Sequence, residues 1–497
     1  MQSAFAGIDF GSSFLEAAVL DPAGKALCVP DMDGLVRTPA AVCFGKEELL
    51  IGEAAEDGLA LYPQAVPAVR SMLGLNRRAL TLDGQRLSPQ LVSALLLKKK
   101  KRDAERFLGC PLKKAVITVP GYFSACRRRA LRQAVLEAGF EEILLCQQDQ
   151  ALLYGGDHLQ KYSGQTVLVC NLGGGGLDLL LARIKDGEVT RYAAGGRQDL
   201  GGIGWTQALA AFVRRKYFQA DMDMACQREL FCKCDAARVR LCAGQEASFT
   251  AEDEQGRRQV RLTPEDLQAC TEPLLQGFEK EVRDMCQSAA GSGHGGPDAV
   301  ILCGGAANMP QIRTKTAEIF TDIPVIYADP SGLEAARGAA VLAGRGCQGD
   351  FLEEDSSGVC EISYGIAVQT GMGERKVCSL IRAGQQLPAE KTEIFRISKK
   401  QESLSLAIYT NRSPRCFADL EESSFLGWWT LQPGENLPAG SPIKVSFRQE
   451  ENGRLLITGP GPGGTNNLLV QEAGPLLSEE ELRQEKEIAA KLFARLV

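Results

Sequence analysis

Residues Thr166–Ile184 read TVLVCNLGGGGLDLLLARI, two apolar runs that flank four consecutive glycines. Each run is typical of a buried strand, and glycines between such runs mark a turn or a close approach of backbones. A similar unit opens the chain, where Ala4–Phe10 and Leu15–Leu20 flank the turn GSS. The recurrence predicts two related halves. Each hairpin tip would offer backbone N–H groups to an anion, the alternative being two ordinary hairpins.

Composition limits the classes of protein and of partner. The chain has 497 residues and a formal net charge of −6, which argues against broad electrostatic capture of nucleic acid. Its length predicts two to four folding units. No uncharged run reaches the roughly 18 residues of a membrane span. The N-terminus lacks a basic region followed by an apolar one, and the 17 cysteines are scattered. We therefore predict a cytoplasmic protein with reduced thiols and no membrane partner.

The pattern changes along the chain. Apolar strands and amphipathic helices occupy residues 1–346, and within helical Pro89–Leu108 the basic run Lys98–Arg102 predicts a solvated helix face. Residues 347–358 are polar and acidic and predict a linker. Short alternating runs over residues 359–475 predict an antiparallel β domain. In residues 476–497 a serine precedes three glutamates, which indicates the start of a short helix.

Six motifs occur in the order and spacing of one known family. They are AGIDFGSS (6–13), AVITVPGYF (115–123), NLGGGGLD (171–178), DLGGIGW (199–205), VILCGGAANMP (300–310) and DPSGLEAARGAAV (329–341). In this order they resemble the first phosphate loop, the characteristic strand and turn, the second phosphate loop and the segment after it, the adenosine loop and the closing helix of the DnaK-like, seventy-kilodalton heat-shock chaperones. The resemblance covers nearly the whole chain.

The resemblance implies a fold and a set of ligands. It implies an α/β actin-like ATPase-fold nucleotide-binding domain of two lobes, with ATP or ADP and Mg²⁺ between them. A β-sandwich domain that grips extended apolar peptide and a short C-terminal helix, the start of a truncated lid, would follow. A J-domain co-chaperone and a nucleotide-exchange factor are the implied partners. The implied peptide pocket falls on Ile366, Phe395 and Ile408, with ordinary core residues as the alternative.

The resemblance also implies site residues. The family's catalytic positions fall on Asp9, Arg70, Asn171, Asp178 and Gln147, of which Asp9 and Asp178 would face the metal. Its nucleotide contacts fall on Gly11, Ser12, Ser13, Gly173, Gly174, Gly175, Gly176, Gly201, Gly202, Asp235, Arg238, Gly304, Gly305, Asn308 and Asp329. Glycines and hydroxyls at hairpin tips are physically suited to phosphate, because they expose backbone N–H groups and O–H donors.

The departures from the family's motifs cluster at the positions that the resemblance assigns to ATP hydrolysis and nucleotide binding. The aspartate and the threonine of its second phosphate loop are here Asn171 and Gly176, which supply neither a negative charge nor a hydroxyl. Arg70 stands at the family's lysine, with the same charge and a different geometry. Other replaced positions are Gln147 or, after a slip of one, Gln148 (a glutamate), Ile203 (a glutamate) and Asn308 (an arginine that stacks on adenine). We therefore predict nucleotide binding with slow or absent ATP hydrolysis.

Three functions remain to be compared. The first is a divergent chaperone in which Asp9, Asp178 and Arg70 keep a slow cycle. The second is a pseudo-ATPase that acts as a regulatory or protein-interaction module, with a J-domain or other partner. The third, a sugar or acetate kinase of actin-like fold, is disfavoured by the β domain and by the order of the motifs. Two G-x-G-x-x-G strings, at 291–296 and 459–464, do not join a strand to a helix and argue against a Rossmann site.

Two further departures concern the coupling of the domains. The linker segment 350–355 (DFLEED) carries only two apolar residues, whereas the family's linker is strongly apolar. We therefore predict weaker docking of the linker. A peptide pocket without a lid should also exchange its peptide quickly.

Overall fold

The computed structural model describes most of the chain. The described residues are 5–44, 48–60, 65–73, 80–82, 85–123, 125–218, 222–253, 255–291, 295–329, 331–345, 360, 363–370, 373–382, 385, 388–397, 404–411, 416–420, 423–431, 438–450, 455–461, 464–470 and 479–495. By their contacts, Met1–Tyr122, Ala130–Phe351 and Leu477–Val497 form unit 1, and Phe123–Arg129 and Leu352–Leu476 form unit 2. Within the described ranges, no helix is long and apolar enough to cross a membrane.

The first 345 residues contain both strands and helices. The strands are β1 (Phe5–Phe10), β2 (Phe14–Leu20), β3 (Ala26–Cys28), β4 (Arg37–Pro39), β5 (Ala41–Phe44), β6 (Leu49–Ile51), β7 (Val66–Pro67), β8 (Leu80–Leu82), β9 (Gln85–Leu87), β10 (Lys114–Val119), β11 (Glu142–Gln147), β12 (Thr166–Leu172), β13 (Leu177–Lys185), β14 (Glu188–Arg197), β15 (Ala247–Asp253), β16 (Gly256–Leu262), β17 (Ala299–Cys303) and β18 (Val325–Tyr327). The helices are α1 (Glu53–Asp57), α2 (Pro89–Leu108), α3 (Ala125–Glu137), α4 (Gln148–Gly155), α5 (His158–Lys161), α6 (Gly202–Tyr217), α7 (Met224–Cys242), α8 (Pro264–Gly291), α9 (Pro310–Ile319) and α10 (Glu334–Arg345).

Two sheets of unit 1 share one topology. The first has the order β11-β10-β1-β2-β3, and the second has the order β18-β17-β12-β13-β14. In both, a central antiparallel hairpin is extended by a parallel strand on one side, β10 beside β1 and β17 beside β12. Every residue of β12 and β17 is buried, as expected for strands covered on both faces. The predicted two related halves are confirmed by this repeat.

Glycines let helix α10 pack closely on its neighbours. A Cβ atom at Gly338 would overlap the carbonyl oxygen of Ala151 in α4, and one at Gly155 would overlap the backbone of α10. On the other side of α10, a Cβ atom at Gly7 in β1 would overlap the backbone nitrogen of Ala340. Helix α10 is therefore fixed between α4 and the first sheet by backbone contacts that larger residues would prevent.

The basic run Lys98–Arg102 does not face solvent as predicted. Lys100 is 1% exposed and donates to the Thr38 hydroxyl (3.1 Å), and burial lowers the pKa of its ammonium. The Lys98 ammonium and the Arg102 guanidinium lie 4.6 and 5.7 Å from the centroid of the Phe493 ring. The prediction of a solvated face was wrong because helix α2 carries contacts on more than one side, including one from the end of the chain.

The C-terminal helix α11 (Glu479–Phe493) packs on unit 1 at the beginning of α2. Glu485 is fully buried, and its carboxylate accepts from the backbone nitrogen of Ser88 (3.2 Å) and from the Ser88 hydroxyl (2.5 Å). Ser88 is the N-cap of α2, so this carboxylate lies at the positive end of the helix dipole. The backbone nitrogen of Leu49 also donates to the carbonyl oxygen of Arg495 (3.0 Å).

A titrating carboxyl lies beside this contact. Burial, together with the charge of Glu485, raises the pKa of Glu137 to about 7, although Lys486 and a hydrogen bond from Gln133 oppose the rise. The folded pKa lies above the unfolded value of 4.5, so folding takes up a proton between these two pH values. Stability should therefore fall as pH rises from about 4.5 to about 7.

We expect Glu137→Gln to raise the melting temperature at pH 8 and to change it little at pH 5, because glutamine is neutral at both values. Thermal unfolding of the full chain, followed by circular dichroism at the two pH values, measures the difference. Glu141→Gln is the control, since this exposed side chain pairs with Lys113 at the surface. Equal melting temperatures for Glu137→Gln and the parent chain at pH 8 would contradict the raised pKa of Glu137.

Unit 2 consists of antiparallel strands. They are β19 (Ser363–Gln369), β20 (Arg375–Ile381), β21 (Ala389–Arg396), β22 (Leu404–Asn411), β23 (Phe417–Asp419), β24 (Ser424–Leu431), β25 (Pro442–Gln449), β26 (Leu455–Gly461) and β27 (Gly464–Val470). They form one sheet of order β23-β20-β19-β22-β24 and another of order β21-β25-β26-β27. Side chains of both sheets share one hydrophobic core. The predicted antiparallel β pattern is confirmed.

Candidate functional site

The tips of the hairpins β1–β2 and β12–β13 meet within unit 1. A Cβ atom at Gly174 would overlap the Ser13 hydroxyl, and a Cβ atom at Gly175 would overlap the Ser12 hydroxyl. At both positions an added Cβ atom would require the facing serine to move, so the two tips approach closely. The structure therefore brings together the glycines and the serines that the sequence assigned to separate phosphate loops.

Glycines also define the shape of each tip. The backbone nitrogen of Gly173 donates to the carbonyl oxygen of Gly176 (3.0 Å) and closes the second turn. Its carbonyl oxygen accepts from the nitrogen of Gly202 (3.0 Å), where helix α6 begins. A Cβ atom at Gly201 would overlap the nitrogen of Gly176, and one at Gly11 would overlap backbone of its own hairpin. The second tip thus rests on the N-terminus of α6.

Arg70 is a buried cation beside the first tip. It is 5% exposed, and its Nε donates to the Ser12 hydroxyl (3.0 Å) while its Nη1 donates to the carbonyl oxygen of Phe10 (2.9 Å). A Cβ atom at Gly175 would lie 3.5 Å from its Nη2. The guanidinium therefore lies against both hairpin tips, where an anion held between them would meet it.

Asp9 is the buried carboxylate of the site. It is 4% exposed and accepts from the Thr118 hydroxyl through Oδ1 and from the Gln148 amide through Oδ2 (2.9 Å). Burial raises its pKa, and Thr118, Arg70 and Gln148 oppose the rise. Glu16 lies directly opposite Asp9 on β2, and burial together with the charge of Asp9 raises its pKa to about 8. No role for Thr118 or Glu16 follows from the sequence alone.

The two adjacent glutamines differ in position. Gln147 ends β11, pairs with Val119 and is 5% exposed. Its Oε1 accepts no hydrogen bond within the described part of the chain. Gln148 begins α4, and its amide reaches Asp9. Of the two alignments that the sequence left open, the one shifted by one residue brings an amide to the buried carboxylate.

The second hairpin carries the other polar positions. Asn171 and Asp178 lie directly opposite each other on β12 and β13, 6% and 3% exposed. Asp178 Oδ1 accepts from the backbone nitrogen of Gly121 (2.6 Å). A Cβ atom at Gly176 would lie 2.8 Å from the Tyr122 hydroxyl oxygen and 2.6 Å from a backbone oxygen. A threonine therefore does not fit at this position without movement of its surroundings.

The residues can be compared with the needs of a magnesium ion. Both oxygens of Asp9 accept from protein donors, as does one oxygen of Asp178. Among the described residues, no group of three His, Cys, Asp or Glu side chains could hold a metal. Mg²⁺ usually keeps several waters and takes one or two carboxylates plus substrate phosphate. The two carboxylates fit only such a loosely held ion.

Polar residues of α7 adjoin the second tip. The Thr206 hydroxyl donates to Asp235 (2.6 Å), and Arg238 pairs with the same carboxylate (2.8 Å). A Cβ atom at Gly202 would lie 3.9 Å from the Arg238 Nη2 and 3.6 Å from the Ala306 Cβ. Asp235 and Arg238 are therefore beside the glycines of the second half, as the resemblance implies. Thr206 has no motif signal that would identify it.

A pocket opens at the carboxyl end of β17. Four predicted nucleotide contacts line it, namely Gly304, Gly305, Asn308 and Asp329. Gly304 has a φ of 89°, a conformation that favours glycine, and a Cβ atom at Gly305 would meet nothing within 4 Å. Arg37 and Tyr327, which the sequence analysis did not assign, also line the pocket. The guanidinium of Arg313 lies 4.3 Å from the centroid of the Tyr327 ring and donates to Asn308 Oδ1 (2.6 Å).

The predicted peptide-pocket residues belong to unit 2. Ile366 and Ile408 pair across β19 and β22, and their side chains are 1% and 2% exposed within the hydrophobic core. Phe395 is partly buried against the same core. Trp429 is buried there too, while the side chain of Trp428 lies outside the described residues. These positions favour the core interpretation, and a role in peptide binding stays a prediction.

Comparison with known proteins finds similarity along most of the chain. The family model described as Hsp70 protein matches residues 74–490. "Chaperone protein DnaK" of Thermotoga neapolitana is 29% identical over 96% of this chain and 82% of the relative. "Chaperone protein DnaK" of Thermosipho melanesiensis is 29% identical over 98% and 83%. "Chaperone protein dnaK3" of Thermosynechococcus vestitus is 30% identical over 96% and 74%. The similarity runs through both units.

Proposed function

Because this chain belongs to the Hsp70 family, we propose that unit 1 binds ATP or ADP and hydrolyses ATP slowly or not at all. Proteins of the family are chaperones with an actin-like ATPase fold and a β-sandwich domain, and they generally bind these nucleotides with Mg²⁺. The proposed binding surface is the pocket with Gly304 and Gly305, joined to the two hairpin tips and Arg70. Backbone N–H groups, serine hydroxyls and a buried guanidinium suit a phosphate chain.

The proposal of slow hydrolysis rests on the side chains that are present around the second hairpin tip. Asn171 has no charge to offer a metal or its waters, and Gly176 has neither a hydroxyl nor room for one. Both oxygens of Asp9 are engaged by Thr118 and Gln148. Loss of one group that stabilises developing charge costs other enzymes about 10²–10³ in rate. Binding depends on donors that are retained, whereas hydrolysis depends on groups that are replaced.

The proposal extends to unit 2 and to partners. A β-sandwich of this family would bind an extended apolar peptide through main-chain hydrogen bonds and side-chain pockets. A J-domain co-chaperone and a nucleotide-exchange factor are the corresponding partners, and the cytoplasm is the corresponding compartment. We propose that residues 1–346 form the nucleotide-binding domain and that residues 359–475 form the peptide-binding domain. The second candidate function is a pseudo-ATPase acting as a regulatory or protein-interaction module. The presence of Asn171 and Gly176 in place of the family's aspartate and threonine favours it.

Calorimetric titration of the purified full chain with ADP and with ATP, with and without Mg²⁺, tests binding. Single-turnover hydrolysis of ATP, beside the DnaK of Thermotoga neapolitana at one temperature, tests turnover. We expect both nucleotides to bind and hydrolysis to be at least about 100-fold slower than in the relative. A rate within tenfold of the relative would refute slow hydrolysis. No binding at millimolar nucleotide would refute the nucleotide site and leave the interaction module.

A further inference from the structure

Arg37 is a cation on the wall of the pocket that no role described so far uses. It begins β4 and lines the pocket together with Gly304, Gly305 and Asp329. Across the pocket, a Cβ atom at Gly332 would lie 3.7 Å from its Nη2. The guanidinium therefore reaches from the first sheet to the loop that precedes α10.

The guanidinium is held in place by one buried partner and one ring. Its Nε donates to Glu16 Oε1 (3.0 Å), and Glu16 is 3% exposed. Its central carbon lies 4.1 Å from the centroid of the Phe14 ring. The two terminal nitrogens of Arg37 have no hydrogen-bond partner among the described residues. The side chain is thus oriented in advance while most of its N–H donors remain available to a ligand.

The other charged residue of the pocket, Asp329, already has hydrogen-bond and charge partners. Asp329 accepts from the backbone nitrogen of Ser331 (2.9 Å) and from its hydroxyl (2.5 Å), and these bonds lower its pKa. Arg337 lies 3.6 Å from the same carboxylate. The anionic side chain of the pocket is therefore satisfied by its neighbours, and the charge offered to a ligand is the guanidinium of Arg37.

The position of Arg37 along the cleft indicates which part of a ligand it meets. Phe14, which carries the guanidinium on its ring, directly follows Ser13 of the first hairpin tip. A ligand with its base in the pocket and its terminal phosphates at the tips has to pass Arg37 between them. A guanidinium binds phosphate by two parallel N–H···O bonds. We propose that Arg37 binds the phosphate that is attached to the ribose of a bound nucleotide.

This inference rests on the proposed nucleotide binding, and a comparison of adenosine with AMP separates the two. Calorimetric titration of the full chain with adenosine, AMP and ADP gives the gain in affinity from the first phosphate. We expect Arg37→Gln to lower the affinity for AMP and ADP by about 20-fold, since a hydrogen bond to a charged group is lost. The affinity for adenosine should stay within twofold of that of the parent chain.

Two further variants keep the test decisive. Arg37→Lys retains the charge without the fork and should lose only part of the AMP affinity. Arg257→Gln removes a cation that pairs with Glu252 on the separate β15–β16 hairpin and should change nothing. An unchanged ratio of AMP to adenosine affinity in folded Arg37→Gln overturns the inference and leaves the nucleotide site intact. A parent chain that binds neither AMP nor ADP overturns the inference and the proposed function together.

Discussion

Gly338→Ala is expected to lower the free energy of unfolding of unit 1 by about 3 kcal/mol, an overpacking cost at the upper end of the usual range. The added Cβ atom would overlap the carbonyl oxygen of Ala151 and lie 2.6 Å from its carbonyl carbon. It would also lie 2.8 Å from the backbone nitrogen of Gly155. All three atoms are backbone, so no side-chain rotation relieves the overlap. Helices α4 and α10 would have to separate, which disturbs the contact of α10 with the first sheet.

Urea unfolding of the full chain, followed by circular dichroism, measures this change. Gly344→Ala is the matched control, because Gly344 lies in the same helix and its Cβ atom would meet only the end of the flexible Leu20 side chain. Alanine favours helix over glycine by about 1 kcal/mol, so the control should be neutral or stabilising. Equal stability of the Gly338 and Gly344 variants would show that α4 and α10 do not approach this closely.

Arg70→Ala is expected to weaken ADP binding about 100-fold. Truncating one partner of a buried, hydrogen-bonded charge pair typically costs 2–5 kcal/mol or more, and about 2.7 kcal/mol corresponds to this factor. The variant loses the bonds from Arg70 to Ser12 and to Phe10, and the cation that lies against both hairpin tips. Thermal stability should fall too, because Asp9 stays buried without the cation that opposes its raised pKa.

Calorimetric titration with ADP measures the affinity, and circular dichroism reports whether the variant is folded. Arg70→Lys is the control, because lysine keeps the positive charge and should retain most of the affinity. A folded Arg70→Ala variant whose ADP affinity is within threefold of the parent chain would place the phosphates away from Arg70.

The parts of the fold that depend on local patterns could be predicted from the sequence. The hairpins β1–β2 and β12–β13, one in each half, follow from apolar runs and turn residues. The contact of Gly338 with Ala151 could not be predicted in the same way. A glycine inside a helix indicates close approach of something, but it does not identify the partner, which depends on the three-dimensional arrangement of distant segments.

The basic run shows a related limit. Five consecutive basic residues on an amphipathic helix usually face water, and the sequence offers no local sign that Lys100 is covered. Lys100 is covered beside Thr38 of β4, while the neighbouring Lys98 and Arg102 lie against Phe493, almost four hundred residues later. Long basic side chains can bury their stems beside other elements, so charge alone does not report exposure.

At the site, motif matching found the residues that belong to motifs and missed those that act from outside them. Thr118 lies within a motif, yet its bond to Asp9 depends on the pairing of β1 with β10. Arg37 and Thr206 carry no motif signal and enter the site through β4 and α6. The choice between Gln147 and Gln148 required the end of β11 to be known, because Gln147 is the last residue of that strand and Gln148 is the first residue of α4.

The position of α11 in unit 1 affects how this unit folds during translation. Unit 1 is interrupted after Phe351 and resumes at Leu477, so the 125 residues between them are translated before its last helix exists. At about 5–20 residues per second, this takes roughly 6–25 s. During that time Ser88 lacks its carboxylate partner, and the ring that Lys98 covers has yet to be made. A nascent chain therefore leaves this part of unit 1 without its α11 contacts until the residues of that helix have been made.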